Sequence, residues 1–223
     1  MRGLVRLLAV TAVMTGAAIG CSPPTAPLPD PAPGGAVGAS AGCAAGTDRG
    51  GIDVASSKRQ SLVVSVDGVN RRSFLRLPAG YDVTSPAPVL VSLHPFVLNN
   101  DQWEQYSGLA DAGAARGYVV LSPLGSDPGP RWNVPGGLET NVDDLGFVST
   151  LLDTVAARLC VDQDRVFAAG FSAGAAMAEA LGCVFPRRFA AIAGSGGTNL
   201  TSLCPLAPGV DTMVLHGSAD PIA

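Results

Sequence analysis

From Val89 to Leu215 the chain alternates short, nearly uninterrupted apolar runs with segments of helical spacing. The runs are Val89–Leu93, Tyr118–Leu121, Arg165–Ala169, Phe189–Ala193 and Thr212–Leu215. A strand without polar alternation has no solvent face. It belongs inside a sheet covered on both sides, and the intervening helices are the natural cover. Trp103–Arg116 carries Trp103, Tyr106 and Ala110 on one helical face and stops at Gly117. Asn141–Leu159 repeats that spacing with Val142, Leu145, Phe147, Val148, Leu151, Leu152, Val155 and Leu159, and Ala173–Leu181 predicts a third helix. Upstream, Ser61–Val66 reads as a strand, Asp67-Gly68 as a hairpin turn and Arg72–Leu77 as the returning strand. The expectation is an α/β fold with a mostly parallel sheet and helices on both faces. At 47% apolar and 14% charged residues, the composition excludes a disordered chain.

The N-terminus is an address. Arg2 and Arg6 precede an apolar stretch that is too short to span a membrane and ends Ala18-Ile19-Gly20-Cys21. Residues 1–20 are expected to be a lipoprotein-type signal peptide, with Cys21 lipidated in the manner of a bacterial lipobox. Residues 21–46, rich in Pro, Ala and Gly, read as a spacer, and 47–223 as the domain. This predicts an extracellular protein held to the outer face of the cell membrane through its lipid anchor only. The formal net charge is −4 and no basic run exists, so a nucleic-acid partner has no electrostatic footprint.

Export makes the other cysteines readable. Cys43, Cys160, Cys183 and Cys204 allow two disulfides in three connectivities. Cys183 and Cys204 bracket one strand-length segment and are expected to pair, leaving Cys43–Cys160. No Cys/His cluster suggests a zinc site, and no cofactor is implied.

The ends of the strands carry the chemistry. After Arg165–Ala169 comes Gly170-Phe171-Ser172-Ala173-Gly174, followed by a helix. G-x-S-x-G at a strand–helix junction is a sharp turn that exposes a nucleophilic hydroxyl near a helix N-terminus. Gly38-Ala39-Ser40-Ala41-Gly42 matches the same pattern, but it lies in the spacer with no strand before it. His216-Gly217-Ser218-Ala219-Asp220 follows the last strand, and His94-Pro95-Phe96 follows Val89–Leu93.

Together with Trp132-Asn133, Val142–Phe147, Asp164–Gly174 and Arg188–Ala193, these segments resemble the esterase/poly(3-hydroxybutyrate) depolymerase family, which includes feruloyl esterases and mycobacterial-type esterase lipoproteins. The resemblance implies an α/β-hydrolase fold and an exported serine carboxylic-ester hydrolase working through an acyl-enzyme on Ser172. Asp220 takes the place of the triad acid. Ala173 and Phe96 take the places of the oxyanion amides, because Pro95 stands where the family usually has Gly and proline has no N–H. His94, Trp132 and Asn133 are candidates for the substrate cleft, and Asp143-Asp144 reads as a structural helix start. The implied substrate is an ester: polyester, feruloyl or short-chain. In this fold the catalytic His follows the acid, beyond one more helix and strand. The chain's two histidines, His94 and His216, fall elsewhere. The expectation is therefore a domain that lacks the last strand and helix and, as written, its general base. The alternatives are a non-catalytic surface-binding lipoprotein and a serine peptidase of the same fold.

Overall fold

The computed structural model describes residues 38–126, 131–134, 142–197 and 210–220. Among these residues a seven-stranded sheet runs in the order β1-β2-β4-β3-β5-β6-β7. β1 (Gln60–Val66) and β2 (Val69–Arg76) form the expected hairpin around Asp67 and Gly68, both at positive φ. β2 pairs antiparallel with β4 (Val119–Pro123). From β4 onward the sheet is parallel, through β3 (Ala87–Leu93), β5 (Val161–Phe171), β6 (Ala191–Ser195) and β7 (Asp211–Leu215).

Strand register sorts the side chains by face. Val91 is level with Leu121 on one side and Ala168 on the other, and Ala168 with Ile192. This face packs beneath α3 (Asp144–Arg158) and α4 (Ala173–Val184), forming a core with Phe147, Leu151, Met177 and Leu181 fully buried. Leu90, Val120 and Phe167 point to the other face, where α1 (Asn100–Ser107) and α2 (Leu109–Ala114) lie. Gly113 brings α2 onto it: a Cβ there would sit 2.9 Å from Val120 Cγ2. Helices on both faces and a mostly parallel sheet are thus observed as expected.

Several boundaries differ from the sequence reading, among them the following. The single helix expected over Trp103–Arg116 is two, because Gly108 takes φ 62 and closes α1 with its N–H on the Glu104 carbonyl. α3 starts at Asp144, since Asp143 accepts from the Gly146 N–H and caps it. The strand expected at Phe189–Ala193 lies two residues later, and Phe189 is core packing ahead of it.

Composition extends the spacer to residue 46, yet the chain from Gly38 onward belongs to the domain. Ala39 bridges Asp162, and Cys43 is disulfide-bonded to Cys160 across 117 residues. Constraining so long a loop is worth about 4–5 kcal/mol in the chain-entropy account. Cys183 is also disulfide-bonded, while its expected partner Cys204 lies outside the described residues, as does Cys21. Among the described residues, no helix is long and apolar enough to cross a membrane.

Candidate active site

Ser172 sits between β5 and α4, where a serine would ordinarily cap the helix. A capping serine takes an extended backbone and accepts an N–H of the first turn. Ser172 instead has φ 52 and ψ −118 and makes no side-chain cap bond, so its hydroxyl is withheld from the helix. Its amide donates to the Ser195 carbonyl at 2.8 Å, and its carbonyl accepts from Ala175 and Ala176. The peptide is held firmly in a backbone region that costs a non-glycine residue about 1–3 kcal/mol.

The two motif glycines are required by close approach. A Cβ on Gly170 would overlap the Gly174 carbonyl and lie 2.8 Å from the Ala175 nitrogen. A Cβ on Gly174 would overlap the Leu93 carbonyl oxygen and lie 2.7 Å from that of His94. The helix can therefore begin directly against the end of β3. The other G-x-S-x-G match is structural: Ser40 is buried, donates to the Leu159 carbonyl at 2.7 Å and accepts from the Val161 amide.

At the end of β3, His94 is fully buried. Its Nδ1 lies 2.9 Å from the Pro95 carbonyl, which can only accept, so Nδ1 carries the proton. Its Nε2 accepts the Gly125 N–H at 2.9 Å, so that nitrogen is bare. Trp132 stacks on the ring at 4.6 Å between centroids and donates its indole N–H to the His94 carbonyl. Burial pushes the His94 pKa down, partly offset by the Pro95 hydrogen bond and by the charge of Asp144. His94 and Trp132, expected as cleft residues, are thus committed to each other and to the backbone. Phe96, next along the chain, is about half exposed. Among the described residues neither the Phe96 nor the Ala173 amide has a backbone acceptor.

Asn133 is half-buried. Its N–H donates to Asp144 Oδ2 and its side chain to the Val142 carbonyl, both at 2.7 Å. Asp144 is fully buried, pairs with Arg71 and also accepts from Ser126. Asp143 and Asp144 are structural: Asp143 caps α3, and Asp144 holds Asn133, beside Trp132.

Asp220 lies at the carboxyl end of β7, two strands from β5, in a turn closed by its N–H on the Gly217 carbonyl at 3.1 Å. At about 4.8 Å per strand, β7 itself lies about 10 Å from β5. His216 Nε2 donates to the Gly197 carbonyl at 2.7 Å. Gly197 packs on the elbow so tightly that a Cβ there would lie 3.1 Å from the Ser172 carbonyl oxygen. The ends of β3, β5, β6 and β7 thus converge on Ser172. Among the described residues there is no group of His, Cys, Asp and Glu that could hold a metal.

A family profile described as Esterase PHB depolymerase matches residues 72–223. The chain belongs to the esterase PHB depolymerase family. Feruloyl esterase C of Emericella nidulans is 30% identical over 172 residues, 74% of this chain and 61% of that protein. Feruloyl esterase B of Piromyces equi is 34% identical over 127 residues, 56% of this chain and 24% of that protein. The chain therefore spans less than two thirds of these relatives. Among solved structures, the acetyl xylan esterase of Aspergillus awamori superposes with a TM-score of 0.53 at 19% identity, over 64% of this chain and 53% of that one. The fluorophosphonate-binding serine hydrolase FphF of Staphylococcus aureus superposes with a TM-score of 0.54 at 15% identity, over 67% and 61%. These likenesses are to the α/β-hydrolase fold.

Within this esterase PHB depolymerase framework, several contributors to the site escape sequence reading. Phe171 stacks on Trp103, their rings 8° from parallel and 6.3 Å apart, and Trp103 in turn faces Tyr106. Val97 adopts φ 69, unusual for a β-branched residue. Arg71, which no motif singles out, is placed by the fold against Asp144. The one available signal was Gly125, since a glycine beside a loop rich in Gly and Pro invites close approach: a Cβ there would lie 3.1 Å from His94 Nε2.

Proposed function

We propose that the chain carries the nucleophile, oxyanion donors and acid of an exported serine carboxylic-ester hydrolase. One observation supports this most: Ser172 is held at φ 52 at a strand–helix junction with its hydroxyl withheld from capping. That arrangement has no packing rationale, because serine gains nothing there that glycine would not.

In this reading Ser172 Oγ attacks the ester carbonyl. The amides of Ala173 and Phe96 receive the developing oxyanion, aided by the N-terminus of α4. The alcohol leaves, and water releases the acyl group. Asp220 is the carboxylate that would orient an imidazole. Neither histidine of the chain suits the role of base. His94 has both ring nitrogens engaged in the core, and His216 spends Nε2 on the Gly197 carbonyl. The 223 residues alone are therefore expected to acylate slowly, with a small base in solution able to assist.

The substrate class is an ester of polyester, feruloyl or short-chain type, as the names of the relatives suggest. The Cys43–Cys160 disulfide supports export, since such bonds persist in oxidising compartments. Anchoring through Cys21 completes the proposal, and a Cys21→Ser variant should leave the membrane fraction.

The test is covalent labelling. A fluorophosphonate should modify Ser172, faster with added imidazole, and p-nitrophenyl butyrate hydrolysis should rise with it; Ser172→Ala should abolish both. A wild-type chain that stays unlabelled with imidazole present would favour a binding lipoprotein. Cleavage of peptides with no action on esters would favour a peptidase.

A further inference from the structure

His94 is a fully buried histidine that the proposed reaction does not use, yet the structure spends four contacts on it. Each contact has a direction. Pro95 fixes the proton on Nδ1, and Gly125 requires a bare Nε2. Trp132 covers the ring face and holds the His94 carbonyl at 2.8 Å. Gly125 approaches so closely that no side chain would fit, since a Cβ would overlap the Arg131 carbonyl. Ser126, next to Gly125, and Asn133, next to Trp132, both donate to Asp144, itself paired with Arg71. The ring is a rigid post.

What the post holds is the carbonyl of Pro95. A trans peptide is planar, with its C=O and N–H pointing in opposite directions. Drawing the Pro95 oxygen inward onto the buried ring turns the Phe96 N–H the opposite way, away from the ring. That N–H has no backbone acceptor among the described residues. Pro95 has no N–H of its own, so the Pro95–Phe96 peptide is the first on this segment able to offer a donor.

We infer that His94, as the neutral Nδ1–H tautomer, is a positioning residue that aims the Phe96 amide at the oxyanion of the ester formed on Ser172. The inference rests on Ser172 being the nucleophile. It adds a residue that never touches substrate but sets a donor's direction through its neighbour's carbonyl.

Two substitutions separate the two ring nitrogens. Asparagine places an amide N–H near the position of Nδ1, whereas glutamine places its oxygen near that of Nε2. His94→Asn should keep the Pro95 carbonyl pinned, with fluorophosphonate labelling of Ser172 within about threefold of wild type. His94→Gln should keep the Gly125 contact and lose the pin, slowing labelling at least about tenfold, as loss of an oxyanion donor costs ~100–1,000-fold. Equal rates in wild type and both variants would overturn the inference while leaving the nucleophile in place. Because the variants could fail to fold, the ring nitrogen shifts of His94 in the wild-type chain provide a second reading that needs no reaction. Protonated Nδ1 with bare Nε2 supports the inference. A ring protonated at Nε2 overturns it whether or not Ser172 reacts.

Discussion

Gly174 lies against His94 so closely that a Cβ on the glycine would sit 2.7 Å from the histidine carbonyl oxygen. This contact seats the start of α4 on the end of β3 and brings the two proposed oxyanion amides into one neighbourhood. Both partners are backbone, so neither can move aside as a side chain would.

Gly174→Ala should therefore destabilise the domain by about 1–3 kcal/mol, the usual cost of overpacking. Gly217→Ala, whose Cβ meets nothing nearer than 3.9 Å, should change stability by less than about 0.5 kcal/mol. Urea unfolding of the two variants checks the difference.

Ser172, half-buried and with a hydroxyl that does not cap its helix, carries backbone strain. Ser172→Gly relieves the positive φ and should raise stability by about 1 kcal/mol while abolishing fluorophosphonate labelling. Ser172→Ala should abolish labelling without that gain, because alanine keeps a Cβ at φ 52. Melting temperatures that rank glycine no higher than alanine would contradict the strain argument.

Asp144 is the only carboxylate in an ion pair with Arg71 among the described residues, and both are buried. Asp144→Asn can still accept from Asn133 but leaves a guanidinium uncompensated over the Phe147 ring. A loss of about 3–5 kcal/mol is expected. The double substitution Asp144→Leu with Arg71→Met should cost markedly less, because it removes both charges together. A double-mutant cycle by denaturant unfolding reads the coupling.

His94 makes stability depend on pH in a stated direction. Its folded pKa lies below the ordinary value of about 6.5, chiefly through burial, with Asp144 the facing charge that opposes the shift. The unfolded chain therefore takes up the proton first. The stability is fully present above pH 6.5 and is lost as pH falls toward the folded value. Between pH 7 and 5 the wild type should lose stability relative to His94→Asn, with a slope of at most about 1.4 kcal/mol per unit. Every other group is common to the two proteins, so its contribution cancels in the comparison. Parallel curves would show that His94 does not remain neutral on folding.

The architecture was legible because apolar runs and helical spacing are local. Val89–Leu93 and Tyr118–Leu121 are strands wherever they pack, and a strand–helix junction bearing two glycines admits few geometries. Boundaries were less legible, since Gly108 ends a helix only through its positive φ and Asp143 begins one only through its bond to Gly146.

The two G-x-S-x-G matches show where local information ends. Strand context in the sequence alone separated Ser172 from Ser40, and the structure gives each its physical reason: one hydroxyl is withheld from its helix, the other buried in two hydrogen bonds. By itself the sequence determined the alternation of strand and helix, the serine at the strand–helix junction that we propose as nucleophile, and the position of Asp220 after the run Thr212–Leu215. Only the tertiary structure decided what His94, Trp132 and Asp144 do. Their partners are Gly125, the His94 backbone and Arg71, which lie 31, 38 and 73 residues away. A hydrogen bond or ion pair across that separation exists only when the sheet has brought its ends together, and no spacing in the chain records it.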